Sequence, residues 1–201
     1  EGVALKNHII CCFEAAAGEP DGARGKSLLT FVIVGGGATG VEYAGALSEL
    51  VAGPLSQDYR GIDFSAVKIV LLEAADRLVS GMPEDIQEYT AARLKKMGVD
   101  VRFQARVDRV TDEFVSLDGG ETIPTRTVVW TAGVRGEPLP EASGIATERD
   151  GRVPVLPTLQ VQGHPHVYVV GDLASLKDHG RPLPLVAQVA IQSAVTAARN
   201  I

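Results

Sequence analysis

The sequence is short of cysteine, of aromatic residues and of long hydrophobic runs. Its two cysteines, Cys11 and Cys12, are adjacent. Sequence neighbours cannot bridge without a strained ring, and this spacing does not suit a metal. They read as reduced thiols of a cytosolic compartment, with Cys12 on the apolar face of a helix and its packing weighed against a redox role for the pair. No stretch approaches the ~18 consecutive apolar residues of a membrane span; the longest apolar runs, 67–72 and 167–170, have the length of strands. The first residues lack the basic-then-apolar layout of a secretion signal. Basic charge is also in deficit: the formal net charge is −6, with Lys and Arg scattered, which argues against a nucleic-acid surface. Histidine is scarce. His164 and His166 have no third ligand in view, His8 and His179 stand alone, and no metal site is expected. No Ser-His-Asp or Cys-His arrangement emerges.

Glycine is in surplus, with 22 in 201 residues against an average near 7%. That points to tight turns or to close approach of backbone to a ligand. Residues 4–17 read as a helix with Leu5, Ile9, Cys12, Phe13 and Ala16 on one face. Residues 18–26 read as a loop or hinge. An apolar run, 28–34, reads as a buried strand, and a helix over 39–52 is expected to stop at Gly53-Pro54. A connection, 53–66, precedes a second buried strand, 67–72. The next helix opens at Pro83-Glu84-Asp85, carries an apolar stripe of Ile86, Tyr89, Leu94 and Met97, and ends at Gly98. Residues 99–103 form a third strand. Short alternating segments over 105–124, with an Asp118-Gly119-Gly120 turn, predict a hairpin or meander. A strand follows at 127–131. The proline-rich stretch 135–166 leads to a short buried strand at 167–170, a polar loop at 173–184 and a last helix over about 184–200. This alternation predicts an α/β fold with a mainly parallel sheet.

The glycines of 35–40 form GGGATG, a G-x-G-x-x-G placed after a buried strand and before a helix. Gly35 would permit the tight turn, Gly37 would let backbone approach a pyrophosphate, and Gly40 would let helix and strand pack closely. The phosphates would sit at the helix N-terminus, with Gly36, Ala38 and Thr39 completing the turn. Glu73 ends the next strand, where a carboxylate accepts ribose hydroxyls. Its distance from Gly35 exceeds the usual ~20 residues, and the 53–66 insertion accounts for the excess at little entropic cost. A carboxylate there favours NAD(H) over NADP(H) by like-charge repulsion of a 2′-phosphate. The alternative is a glycine-rich turn of another α/β protein, with Glu73 a solvated strand end.

With these motifs placed, the chain resembles the two-dinucleotide flavoprotein oxidoreductases, and among them the type II NADH dehydrogenases, single-subunit NADH:quinone oxidoreductases. The carrying segments are FVIVGGGATGVEYAGAL (31–47), VVWTAGV (128–134), VYVVGDLA (167–174) and PLPLVAQVAIQSA (182–194). The resemblance implies a Rossmann-like NADH domain with a β-meander, residues 27–135, plus an incomplete FAD-type lobe made of 1–26 and 136–201. It implies NAD(H) as cofactor, with FAD and a quinone in the full-length enzyme. Gly171-Asp172 matches the motif that bonds the flavin ribityl chain, with a turn-capping Asp as the alternative. Ala187-Gln188…Gln192 matches an AQxxxQ quinone motif, with two exposed glutamines on an amphipathic helix as the alternative. Glu42 matches a residue near nicotinamide and flavin, a candidate proton relay, against a first-turn Glu serving the helix dipole. Ala132-Gly133 matches the loop that passes the nicotinamide, against an ordinary turn.

The family's first G-x-G-x-x-G and its C-terminal amphipathic membrane segment are both missing. The expectation is therefore a fragment that binds NADH and no stable flavin. Its parent would be peripheral on the cytoplasmic face of the membrane, and the resemblance allows a homodimer. Two other functions stay open: a flavin-dependent NADH oxidoreductase with a different acceptor, and a non-catalytic NAD(H)-sensing module.

Overall fold

The structure is a computed structural model that describes residues 2–18, 22–178 and 180–201. It divides into two compact units, Glu1–Ala132 and Gly133–Ile201. In the first unit α1 (Gly2–Gly18) and α2 (Ala23–Leu28) precede β1 (Thr30–Val34), α3 (Ala38–Leu50), a π-helical turn (Val51–Leu55) and α4 (Ser56–Asp58). A 3-10 turn (Phe64–Ala66), β2 (Lys68–Leu72), α5 (Glu84–Lys96) and β3 (Val99–Arg102) follow. The unit ends with β4 (Val107–Val110), β5 (Phe114–Leu117), β6 (Thr122–Pro124) and β7 (Thr127–Trp130).

Four strands pair in parallel in the order β3-β2-β1-β7. Successive side chains of a strand point to opposite faces, and here both faces are covered. Phe31, Ile33, Ile69, Leu71 and Val99 pack with Ile9, Phe13, Ala44, Leu47 and Leu94 of the helices. Val32, Val34, Val70 and Leu72 pack with Val115, Leu117 and Ile123 of the antiparallel β4-β5-β6 meander. This explains why the central strands are continuously apolar rather than alternating. Both the parallel sheet and the meander agree with the sequence reading. Phe13 sits at the centre of the helix-side core, its ring 5.8 Å from Phe31, 5.6 Å from Tyr59 and 5.8 Å from Phe64.

Several local expectations are corrected. Ala23–Leu28 is helical rather than part of a hinge, so β1 begins at Thr30 instead of 28; Glu19, Pro20 and Asp21 lie outside the described residues. Gly53-Pro54 does not stop α3. The helix widens into a π-turn with Pro54 inside it, which moves the carbonyl that would clash with the ring. The Ser56 hydroxyl bonds there to the Ala52 and Gly53 carbonyls at 3.0 and 2.9 Å. The apolar stripe on α5 is rotated: Ile86 is 44% and Tyr89 66% exposed, while Gln87 and Leu94 are buried. A polar side chain occupies the buried face because Gln87 Nε2 donates to the Met82 carbonyl at 2.7 Å.

The second unit holds α6 (Leu139–Ala142), β8 (Val153–Pro154), β9 (Gln160–Val161) and β10 (His164–Tyr168). A 3-10 turn (Gly171–Leu173), β11 (Ala174–Ser175), β12 (Lys177–Asp178), β13 (Arg181–Pro182) and α7 (Ala187–Asn200) complete it. Its small core gathers Val153, Val161, Val169 and Ala174. The expected buried strand at 167–170 is instead β10, which starts at His164, pairs antiparallel with β9 and is exposed over His164–His166. The expected polar loop at 173–184 contains the short strands β11, β12 and β13. No helix among the described residues is long and apolar enough to cross a membrane.

Replacing Phe13 by Ala is expected to lower the free energy of unfolding by about 3–5 kcal/mol, read by urea denaturation. A change below about 0.5 kcal/mol would show that α1 does not support this core.

Candidate functional site

The end of β1 turns straight into α3, and the three fingerprint glycines meet different constraints there. Gly35 has φ +112°, and a Cβ on it would lie 2.8 Å from Ala132 N and 2.9 Å from Thr131 Oγ1. A Cβ on Gly40 would be driven into the Gly35 carbonyl. Both glycines are therefore required by the protein's own packing. Gly37 is not: its φ is −72°, and a Cβ on it would meet nothing within 4 Å. The room beside Gly37 is open.

Gly37 is the N-cap of α3, with no side-chain cap and no acidic residue in the first turn. The Val41 N–H donates to the Gly37 carbonyl at 3.0 Å as the helix begins. The amides of Ala38, Thr39 and Gly40 thus have no intrahelical acceptor. Uncapped amides at the positive end of the helix dipole, next to open room, suit an anion. Glu73 lies against the same turn: its Oε2 accepts from Gly36 N–H at 2.6 Å and its Oε1 from Ala75 N–H at 2.7 Å. A carboxylate has about four lone-pair sites, so two remain for hydroxyl donors.

The turn has a second support that the sequence reading missed. The Thr131 hydroxyl, at the end of β7, bonds to the carbonyls of Val34 and Gly35 at 2.9 and 3.1 Å. Trp130 Nε1 donates to the Ala132 carbonyl at 2.9 Å, folding the indole back on the segment after β7. The parallel pairing of Val34 with Trp130, which aligns the ends of β1 and β7, is the signal that could have found both. Ala132 is half-buried and ends the first unit; Gly133 begins the second at φ +75°.

Glu42 is the fifth residue of α3, beyond the first turn, so it is not a first-turn dipole partner. It is exposed and lines a groove of about 420 Å³ with Val41, Gly45, Tyr89, Arg93 and Met97. Glu42 makes no hydrogen bond with Glu73 or with the glycine turn among the described residues.

In the second unit, Gly171 has φ +65°, and its N–H donates to Ser193 Oγ at 3.0 Å. Buried Ser193, absent from the expected site, ties the Gly171–Leu173 turn to α7. Asp172 is exposed. Ala187 is the first residue of α7, and Gln188 and Gln192 lie exposed one turn apart on it. Gln192 also lines an apolar pocket of about 240 Å³ with Pro157, Leu159, Leu176, Leu183 and Val189.

The structure does form one Cys-His contact that the sequence reading did not anticipate. Cys12 Sγ lies 3.5 Å from His8 Nε2 and 3.6 Å from Thr127 Oγ1. Burial pushes the Cys12 thiol up from its ordinary value, and the Thr127 hydrogen bond offsets only part of this. A neutral thiol is a poor nucleophile, and the trio acts as a tie between α1 and β7. Cys11 is exposed. No group of three or more His, Cys, Asp or Glu among the described residues could hold a metal. His179 lies outside the described residues.

The glycine constraints are separable by stability. Gly40→Ala is expected to destabilise the chain by about 1–3 kcal/mol, although alanine is the better helix former. Gly37→Ala should cost less, about 0.5–1 kcal/mol, the preference for glycine over alanine at an N-cap. Thermal and urea unfolding check this; equal losses would contradict the open room at Gly37.

Known proteins are similar to this chain in sequence and in fold. The chain is 37% identical over 209 residues to the type II NADH:quinone oxidoreductase Ndh of Mycobacterium tuberculosis, covering 100% of this chain and 44% of that protein. It is 39% identical over 203 residues to NdhA of the same organism, covering 96% of this chain and 42% of that protein. It spans less than half the length of these relatives. The structure of NDH2 from Plasmodium falciparum in complex with NADH shares the fold, with a TM-score of 0.67 over 82% of this chain and 36% of that chain at 19% identity. The pyridine nucleotide-disulphide oxidoreductase family model matches residues 14–199, and the chain belongs to that family.

Proposed function

We propose that this chain is the NAD(H)-binding segment of a flavin-dependent NADH:quinone oxidoreductase. The observation that carries the reading is Gly37: a glycine that no packing contact requires, at an uncapped helix N-terminus, beside a carboxylate held at the end of the next strand. A dinucleotide pyrophosphate fits that room, and Glu73 would accept the ribose hydroxyls with its remaining lone pairs. The names of the relatives support the acceptor.

In the parent reaction a bound FAD would supply the redox chemistry between NADH and the quinone. The chain's own residues position the partners. The turn and α3 fix the pyrophosphate, and Ala132-Gly133, lacking bulk, leaves room for the nicotinamide. For the flavin the fit is partial. Asp172 offers an exposed acceptor and Ala187 an uncapped helix start, but a second phosphate turn is not in this sequence. Gln188 and Gln192 offer neutral amides for quinone carbonyls, with Gln192 beside an apolar pocket. Glu42, exposed and without an ion pair among the described residues, is the candidate to exchange protons with the reduced acceptor at its carboxylate. Quinone substrates place the parent at a membrane surface, and a homodimer belongs to the same proposal. The 201-residue chain itself is expected to bind NAD(H) and to purify without a flavin absorbance band.

Fluorescence titration tests the reading. NADH should bind with enhanced emission, NADPH at least about tenfold more weakly, and Gly37→Ala should cost about tenfold in NADH affinity, roughly 1.4 kcal/mol, with the chain still folded. Equal affinity for the two nucleotides would remove the role of Glu73 in selecting NADH. Equal affinity of Gly37→Ala and the parent chain would remove the phosphate site.

A further inference from the structure

Gly36, the middle glycine of the turn, is gripped from three sides. Its N–H donates to Glu73 Oε2 at 2.6 Å. Its carbonyl accepts from Val79 N–H at 2.8 Å. Its α-carbon is so close to the loop that an added Cβ would lie 2.5 Å from Leu78 Cδ2 and 2.9 Å from Glu73 Oε2. All three contacts come from one segment, 73–82, that leaves β2 and returns past the turn before α5 begins.

That segment is itself fixed at both ends. Near its start, Ala105 N–H donates to the Glu73 carbonyl and Gln104 N–H to the Ala75 carbonyl, each at 2.9 Å. Near its end, Met82 N–H donates to the Val79 carbonyl at 2.8 Å, and buried Gln87 holds the Met82 carbonyl. Leu78 is fully buried in the helix-side core. Val79 adopts φ +42°, a conformation a β-branched residue takes only where the surroundings impose it. The Glu73 carboxylate is therefore not a free strand end waiting for a ligand. It is already bonded through both oxygens, to Gly36 and to Ala75.

We propose that Glu73 is a positioning residue for the phosphate-binding turn, acting through the Gly36 amide, in addition to any contact with a ribose. The N–H it captures belongs to the Gly35–Gly36 peptide, and Val79 of the same segment holds the carbonyl of the next peptide, Gly36–Gly37, so the two contacts together set the direction in which Gly37 and the first amides of α3 face an incoming phosphate. Removing the carboxylate would leave a buried N–H without its acceptor, and the turn would relax. Nucleotide selection and phosphate affinity are then one device. A substitution at Glu73 made to admit NADPH weakens binding of every nucleotide, including one with no adenine ribose. Gln retains an oxygen for Gly36 N–H but sets its amide N–H₂ against the Ala75 N–H; Ala retains neither contact.

This inference rests on the reading of the turn as a dinucleotide site, and the test keeps the two apart. The amide proton of Gly36 is followed by NMR in the free chain, in Glu73→Ala and in Glu73→Gln. Binding is measured for NADH and for reduced nicotinamide mononucleotide, which carries a phosphate but no adenine ribose. In the parent chain the Gly36 amide should be shifted downfield and exchange slowly. In Glu73→Ala it should lose the shift and exchange at least about tenfold faster, with mononucleotide affinity down about tenfold. Glu73→Gln should restore the amide signature and bring mononucleotide affinity back to within about threefold. If Glu73→Ala does not fold, Glu73→Asp, too short by one methylene to keep both bonds, takes its place. An unchanged Gly36 amide, or loss confined to NADH with the mononucleotide unaffected, overturns the proposal and leaves Glu73 a ribose contact alone. If the parent chain binds neither nucleotide, the dinucleotide reading fails, while the Gly36 amide still decides whether Glu73 holds the turn.

Discussion

The close approach of α3 to the end of β1 is the constraint on which the rest of the first unit depends. It exists because Gly40 has no Cβ to collide with the Gly35 carbonyl. With the helix seated there, Gly35 must turn at positive φ directly against Ala132, and the β7 end must lie alongside, where Thr131 reaches two carbonyls of the turn. The same seating directs the free amides of α3 outward past Gly37. Packing and the proposed binding thus use the same few residues for different reasons, and the three glycines of one motif are not interchangeable.

The sheet supplies the rigidity behind this turn. Its central strands are apolar on both faces because α1, α3 and α5 cover one side and the meander the other. The core anchored by Phe13 and Phe31 lies directly beneath the strand that carries the turn. The segment 73–82 adds a strap whose contacts end on Gly36. A site held on strand ends and helix termini is more exact than one on mobile loops.

The parallel sheet, the meander and the glycine turn were legible in the sequence because each rests on a local rule: apolar runs for doubly buried strands, alternation for the meander, glycine where a Cβ cannot fit. What was not legible depends on partners distant in sequence. Gln87 is buried because a carbonyl of the preceding loop needs a donor, and a hydrophobic wheel does not register that. Pro54 is tolerated because the helix widens around it. Thr131 and Ser193 look like ordinary polar residues until the strand ends and the Gly171 turn are placed beside them. The second unit was read least well, since its strands are only two to five residues long and carry too little periodicity to place.

The central claim is that the β1–α3 turn holds a reduced dinucleotide. The most direct measurement is hydrogen–deuterium exchange of the chain with and without NADH. The account predicts new protection over 35–41 and 73–79, with residues 187–200 unchanged. Protection elsewhere with none at the turn, or no change anywhere at saturating NADH, would contradict it.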